Sequence, residues 1–482
     1  MKIKNSSDIK NSSWNVINVL LYPALFLTAT PKLIDILSES NFGEWMLLNS
    51  YVVLTVQILS FGFTLSITAH IAEALGENNL ARLHAYINAS ARFIALVSLL
   101  VLGLALIPLT FYYTDLGVFN TETWLNIFVA TLVIVARFPE LLGQSIMKGF
   151  EQYDRAAKFN MVNRIGTLCM QFMCAVKGYG VLGILIVTLV SNLLITALQL
   201  NSVKRQLKDF NLDIFSKYSE RTNLYQFGFW SWLQTVIAVA AFQLDRFIVA
   251  AFLGTATVAY YSLAATIANH IHLACEALVS GVFPKFSRLR ASGQDTLKLF
   301  VTSRALSVGT SLLGLTLLYF ISPALMSTWL GADKYGKLAP YFNLFLVFEL
   351  FLVLTIIPKI YMSAIRAFKV GTYLELFYKT AIIIGMAIGF YLFGTGESLI
   401  YGQILGLALS IPILYLAVNN FYIKGSPARE SLGTVAPSSI LAFVVIYSNS
   451  ISEELFWTAI SFGLIWLTFV VDKNFDRKVI LS

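Results

Sequence analysis

The chain has 482 residues, 57% of them hydrophobic and only 12% charged, with a mean hydropathy of +0.73. Soluble domains average about 25% charged residues, and one water-soluble core could not hide this much apolar surface. The formal charge of +8 would fit a nucleic-acid binder, but the basic residues sit in short clusters between apolar runs, which is the distribution of a membrane protein.

Lys2, Lys4 and Lys10 precede an apolar run that starts at Trp14. No small-residue cleavage site follows at the right distance, so the first span is expected to stay uncleaved. A helix needs about 20 mainly apolar residues to cross the hydrocarbon. Backbone groups in lipid must be satisfied internally, and the runs are too long for barrel strands. The expected fold is therefore all-α and polytopic. Fourteen spans are expected, at 14–35, 44–69, 87–112, 124–148, 159–177, 179–200, 224–251, 256–283, 298–325, 339–365, 370–393, 397–420, 434–450 and 454–471.

Alternate loops are basic. One side carries Lys2, Lys4 and Lys10, then Arg82 and Arg92, then Lys148, Arg155, Lys158 and Arg164, then Lys204, Arg205, Lys208, Lys217 and Arg221. It continues with Lys285, Arg288, Arg290, Lys298 and Arg304, then Arg366 and Lys369, Lys424 and Arg429, and Lys473, Arg477 and Lys478. The opposite side holds only Lys177, Lys334 and Lys337, together with the acidic turns 39–44, 115–122 and 453–454. The basic side is expected to be cytoplasmic, with both termini on it.

The basic segment 201–223 divides the chain after six spans. The expected organisation is a six-helix lobe over 1–200, a cytoplasmic linker over 201–223, a second six-helix lobe over 224–420, and two additional helices with a cytoplasmic tail over 421–482. Leu37–Trp45 and Leu253–Tyr261 are similar short turns that end in an aromatic and reopen a long helix. They point to parallel lobes with pseudo-two-fold symmetry around a central cavity, a transporter plan. Cys169, Cys174 and Cys275 fall inside apolar runs, so buried inert thiols are expected and neither a disulfide framework nor a zinc site.

Charges inside the spans are the candidates for function, because an ionised side chain at the bilayer centre costs at least about 2.5–3.5 kcal/mol. Lys32 ends a polar stripe with Asn15, Asn18 and Tyr22 and has Asp35 at i+3; it either snorkels to the headgroups or lines a cavity. Arg137 lies deep in the fourth span, with Glu140 and Gln144 on the same face and Pro139 between them. It forms either an internal pair with Glu140 or a cavity-lining cation. Asn160, Asn163, Thr167 and Gln171 make a polar face on the fifth span. Asp245 and Arg246 are adjacent and point about 100° apart. Asn269, His272 and Glu276 share a face of the eighth span, with His272 and Glu276 spaced to share a proton. Glu349 stands alone in the tenth span, Lys359 lies on another face of it, and Glu375 and Lys379 are an i,i+4 pair in the eleventh. Lys32, Arg137, Arg246 and Lys379 are the candidate anion contacts. Asp245, His272, Glu276 and Glu349 are the candidate ion-coupling groups. No metal site is expected.

Phosphate-binding glycine loops, nucleophile elbows and metalloprotease helix motifs are not found, and no soluble stretch is long enough for a nucleotide-hydrolysing domain. The chain is expected to be no enzyme and to use no cofactor beyond a coupling proton or sodium ion. Transport would be gradient-driven, facilitated or powered by a partner.

Several short motifs carry a resemblance: Asn11–Trp14, Pro31–Leu37, Phe42-Gly43-Glu44-Trp45 and Phe61-Gly62-Phe63, then Asp245-Arg246, Leu253-Gly254, Tyr260-Tyr261-Ser262 and Phe283-Pro284. With them the chain resembles bacterial polysaccharide exporters of the Wzx type, the flippases for O-antigen and other lipid-linked oligosaccharides. The resemblance implies the multidrug/oligosaccharidyl-lipid/polysaccharide (MOP) fold, related to MATE exporters, in the bacterial inner membrane. It implies a cargo, an undecaprenyl-diphosphate-linked glycan moved to the periplasmic leaflet by alternating access, with the four cations meeting diphosphate and sugar acids. A polysaccharide polymerase and glycosyltransferases are the implied partners, and nucleic acid is not. Two extra helices occur in some superfamily members, including the peptidoglycan precursor flippase. The competing readings are a proton- or sodium-coupled multidrug exporter, which would put acidic residues in the cavity, and a non-transporting scaffold for glycan assembly.

Overall fold

The computed structural model describes residues 22–114, 121–206, 229–279 and 281–418. The chain divides into two compact units, Met1–Val239 and Ala240–Ser482. The division falls inside a helix, and most of the segment expected as a linker lies outside the described residues.

In the first unit α1 covers 22–37, followed by α2 (Glu39–Leu59), α3 (Phe63–Gly76), α4 (Leu80–Thr114), α5 (Thr121–Gly149), α6 (Tyr153–Val176) and α7 (Gly180–Gln206). Next come α8 (Phe229–Leu253), α9 (Thr255–Val279), α10 (Val282–Ala291), α11 (Leu297–Leu330) and α12 (Ala332–Leu352). A 3-10 turn (Val353–Thr355) leads into α13 (Ile356–Ala364), then α14 (Phe368–Phe393) and α15 (Gly396–Val418). No strand occurs among the described residues.

Nine of the described helices are long and apolar enough to cross a membrane, with α12 and α13 counted together. The helices α6 and α9 have the length, at 24 and 25 residues, but polar faces lower their hydropathy. With α1, each of the first twelve expected spans has a helical counterpart. The thirteenth and fourteenth lie outside the described residues.

Three spans differ from expectation in detail. The second is not continuous: it stops at Leu59, and Phe61 and Gly62 take left-handed backbone before α3 resumes at Phe63. At 1.5 Å per residue α2 alone is ~31 Å long, the thickness of the hydrocarbon, so α2 suffices to span without α3. The eighth is helical to Val279, and the basic stretch expected between the eighth and ninth spans carries a further helix, Val282–Ala291. The tenth starts at Ala332 and is interrupted by the 3-10 turn ahead of Pro358.

The expected repeat is visible as a repeat of turns. Ser38 joins α1 to α2 with φ 74°, and Gly254 joins α8 to α9 with φ 80°. A single left-handed residue reverses the chain in each case. The strain that an L-residue would carry there is absent at Gly254; at Ser38 the hydroxyl accepts the Asn41 amide instead. Left-handed residues recur at Asn78 and Gly293, and at Glu151 and Arg366, between corresponding helices. Packing repeats too. In the first unit α5 contacts α2, α3, α4 and α7, and α6 lies on α7. In the second, α12 contacts α9, α11 and α15, and α14 lies on α15. The most buried spans of their units are α5 and the α12–α13 segment.

Outward faces are apolar. Leu96, Leu99, Leu100 and Leu106 on α4 and Leu313, Leu317 and Phe320 on α11 are exposed, as lipid contact requires. The thiols depart from expectation: Cys275 is buried, Cys174 half-buried and Cys169 exposed on α6, all free. Lipid tolerates a thiol on the outside, so an apolar run does not by itself imply burial.

The tightest packing is between α14 and α15. Gly385 and Gly389 face Gly402 and Gly406, two pairs at i,i+4, and a Cβ on any of them would strike the opposing backbone. Small residues let membrane helices approach this closely. Replacing Gly402 by Leu should cost at least about 1–3 kcal/mol, read as a lowered thermal midpoint in detergent. Gly103→Ala on α4, where a Cβ meets nothing within 4 Å, should leave the midpoint unchanged or slightly raised.

Candidate functional site

The in-span charges assemble into two clusters, one inside each unit. In the first unit α5 supplies Arg137 and Glu140 one turn apart, on either side of Pro139. Proline cannot donate to the Val135 carbonyl, which loosens the turn that carries Arg137. Arg137 Nη1 donates to Glu140 Oε2 at 2.8 Å. The partners differ in access: the Arg137 side chain is 38% exposed and that of Glu140 1%. Glu140 Oε1 also accepts from Gln144 Nε2 at 3.1 Å and from Asn163 Nδ2 of α6 at 3.2 Å. Asn163 bridges on to Asn192 Oδ1 of α7, and Thr167 donates to Asn163 Oδ1. Further along, Gln171 Nε2 donates to Thr188 Oγ1 at 2.8 Å. The polar face expected on α6 is therefore the layer that joins α5 to α7.

Both readings of Arg137 apply at once. The internal pair exists, and the guanidinium still reaches the surface of the unit. A buried carboxylate held by three donors fixes the direction in which an accessible cation points. Arg164 of α6 stands over the Tyr22 ring at 5.5 Å and, with Arg137, acts on Tyr22 electrostatically. Lys32 is exposed on α1, while Asn15 and Asn18 of its stripe lie outside the described residues.

The second cluster holds the other six candidates. Asp245 Oδ1 accepts the Arg246 backbone N–H at 2.7 Å, and Tyr261 donates its hydroxyl proton to Asp245 Oδ2 at 2.9 Å. Gln403 Nε2 of α15 donates to the Tyr261 oxygen at 2.7 Å and lies 3.3 Å from Met386 Sδ of α14. Arg246 reaches Thr266 at 3.2 Å. Both Asp245 and Arg246 are buried. Lys379 is buried as well, its ammonium 4.5 Å from the centre of the Phe242 ring and 5.4 Å from that of Tyr378. Glu375, Glu349 and Asp245 act on it electrostatically, but no direct Glu375–Lys379 ion pair closes among the described residues.

Two pairings differ from expectation. His272 does not share a proton with Glu276; its Nδ1 lies 3.1 Å from Glu349 Oε2, so Glu349 is not alone. Glu276 takes Lys359 at 3.3 Å. Helical spacing puts His272 and Glu276 on one face, but α12 and α13 bring partners to each, and the two cross-helix contacts satisfy four polar groups where one pair along α9 would satisfy two. Glu140 is legible from its spacing to Arg137, and Tyr261 lies in a sequence motif, but the Tyr261–Gln403 bond arises only in the tertiary structure, where α12 packs on both α9 and α15. Among the described residues no group of three His, Cys, Asp or Glu is arranged to hold a metal ion.

Comparison with known proteins follows the same lines. Residues 9–290 match the family described as polysaccharide biosynthesis protein. A Shigella flexneri protein designated an O-antigen transporter is 24% identical over 294 residues, which are 59% of this chain and 68% of the relative. The fold is similar to that of an inward-facing MATE-family multidrug resistance transporter of the MOP superfamily, with a TM-score of 0.63 and 14% identity over 90% of this chain and 99% of the other. It is also similar to the lipid II flippase MurJ in an inward closed conformation, with a TM-score of 0.58 and 14% identity over 95% and 100%. At such identity the likeness is one of fold, and it extends the MOP architecture over nearly the whole chain.

The buried network and the half-exposed pair should respond differently to substitution. Tyr261→Phe strips Asp245 and Gln403 of a buried partner and should cost about 1–3 kcal/mol. Lys359→Met breaks a pair whose side chains are 40% and 31% exposed and should cost less than about 1 kcal/mol. Thermal unfolding in detergent distinguishes the two, and equal losses would contradict this assignment.

Proposed function

The chain belongs to the polysaccharide biosynthesis protein family, and from that premise we propose that it is a flippase for a lipid-linked oligosaccharide. The cargo is an undecaprenyl-diphosphate-linked glycan such as an O-antigen repeat unit, carried from the cytoplasmic to the periplasmic leaflet of the bacterial inner membrane by alternating access. The Shigella flexneri relative designated an O-antigen transporter supports the cargo class, and the basic loops support cytoplasmic termini.

One observation carries the reading: Arg137 is an accessible guanidinium whose carboxylate partner is buried. Guanidinium pairs with phosphate in two parallel hydrogen bonds. A group held from behind by Glu140 loses little freedom when a diphosphate arrives, which favours binding. Lys32, exposed on α1, adds a second cation to the same unit. Arg246 and Lys379 are buried among internal partners, and their part in cargo binding requires an opening of the second unit. Asp245, His272, Glu276 and Glu349 are the groups through which a proton or sodium gradient would act there. A polysaccharide polymerase and glycosyltransferases are the expected neighbours in the membrane.

The cargo reading is tested in two steps. Arg137→Ala should weaken binding of undecaprenyl diphosphate to purified protein by about 10–100-fold, given about 1.5–3 kcal/mol for a hydrogen bond to a charged group. The same variant, expressed at normal level in a strain lacking the gene, should fail to restore surface glycan. Unchanged affinity together with full restoration by the Arg137→Ala, Arg246→Ala double variant would sink the proposal. Export of lipophilic cations in place of glycan would favour the multidrug reading.

A further inference from the structure

The helix α7 carries a line of buried polar groups that the cargo site leaves unused. Asn192, Thr196 and Gln199 recur at i, i+4 and i+7, which puts them on one face. Gln199 is 0% exposed, and neither its Oε1 nor its Nε2 meets a protein partner. Asn192 Nδ2, Thr196 Oγ1 and the neighbouring Ser191 Oγ are likewise unanswered by protein. A buried amide without a partner costs about 1–3 kcal/mol, and native interiors resolve that cost with bound water wherever two to four polar partners converge. Gly143 of α5 admits the Gln199 amide, since a Cβ at that position would lie 2.7 Å from Gln199 Oε1.

This line begins at Glu140. Asn163 donates to both Glu140 Oε1 and Asn192 Oδ1, which ties the carboxylate to the head of the series. From there it runs toward the last turns of α5 and α7, where Lys148, Lys204 and Arg205 stand. It points from a buried carboxylate toward the basic side of the unit.

We infer that Glu140 is a proton-binding site coupled to the anion held by Arg137, served by a hydrated path along Asn192, Thr196 and Gln199. The inference rests on the reading of Arg137 as the phosphate contact. An arriving phosphate shares the guanidinium and draws part of its charge away from Glu140. The buried carboxylate is then less fully compensated, a state that a proton relieves. A hydronium ion at the basic end gives up its proton, relayed through the path; an O–H bond forms on Glu140 and water is left behind. Departure of the phosphate reverses each step. Anion affinity and proton affinity are thereby linked, each raising the other.

The charged and titratable groups around Glu140 are few. Arg137 is on its own helix, Arg164 on α6 and Tyr22 on α1. Helix α3 meets α5 through Thr68 and the Ser145 carbonyl and brings His70 and Glu73, paired with each other at 3.3 Å. Helix α2 brings Glu44, bound to Asn126 near the start of α5. The basic-side start of α4 brings Arg82, His84 and Arg92. Apart from its last turn, α7 offers only amides and hydroxyls.

The experiment uses the full-length protein in lipid nanodiscs with undecaprenyl diphosphate as probe. Calorimetry in buffers of different ionisation heat counts the protons taken up on binding. The difference from Glu140→Gln cancels the ionisation of the probe itself. The wild type should take up about one proton more than Glu140→Gln. Thr196→Val and Gln199→Met should keep the count but slow the stopped-flow pH transient on the order of tenfold. Equal counts in wild type and Glu140→Gln, with binding retained, would overturn the coupling; a wild-type transient in both path variants would overturn the path. The path variants leave the Arg137–Glu140 pair intact and test the inference even where Glu140→Gln does not fold. Binding that ignores Arg137→Ala refutes the cargo reading instead, so the two failures are distinct.

Discussion

Hydrocarbon offers no hydrogen bonds, so each polar group within a spanning helix must be met by another part of the same protein or by bound water. This constraint organises both units. In the first, Glu140 collects Arg137, Gln144 and Asn163, and Asn163 carries the network from α6 to α7. In the second, Asp245, Tyr261 and Gln403 form a continuous chain across α8, α9 and α15. The helices could pack on apolar contacts alone, but lipid tails compete equally well for those. The hydrogen bonds and the close glycine contacts of α14 with α15 are what make particular neighbours preferred.

The same constraint separates positions that hold the fold from positions that face outward. Arg246 and Lys379 are buried among aromatic and acidic side chains, and their removal would first disturb packing. Arg137 differs because its partner is buried and it is not. A cation with a fixed anchor and an open face suits the recognition of an anionic group that must also be released.

The two units share much of their remaining geometry. Corresponding turns take left-handed backbone at Ser38 and Gly254, at Asn78 and Gly293, and at Glu151 and Arg366, although the residue types differ. Chain reversal between antiparallel membrane helices requires that backbone shape, whereas side chains are free to diverge so long as glycine or a local hydrogen bond relieves the strain. The interiors have diverged further: one unit is built on amides around a single carboxylate, the other on several acids and bases.

Hydropathy alone determined the class of the protein, the order of its first twelve spans and the candidate charges, because a span must be long and apolar whatever it packs against. The i+3 spacing of Arg137 and Glu140 was legible for the same local reason. Tertiary structure decided the partners. His272 turned to Glu349 and Glu276 to Lys359, because a polar group in a membrane is satisfied by whichever helix lies opposite, and no spacing along one helix records that. The break after Leu59 also escaped hydropathy, since an apolar run continues through it while the backbone does not. Only the packing of α5 against α7 distinguished Gln199, an ordinary amide in an apolar run, as a buried group without a protein partner.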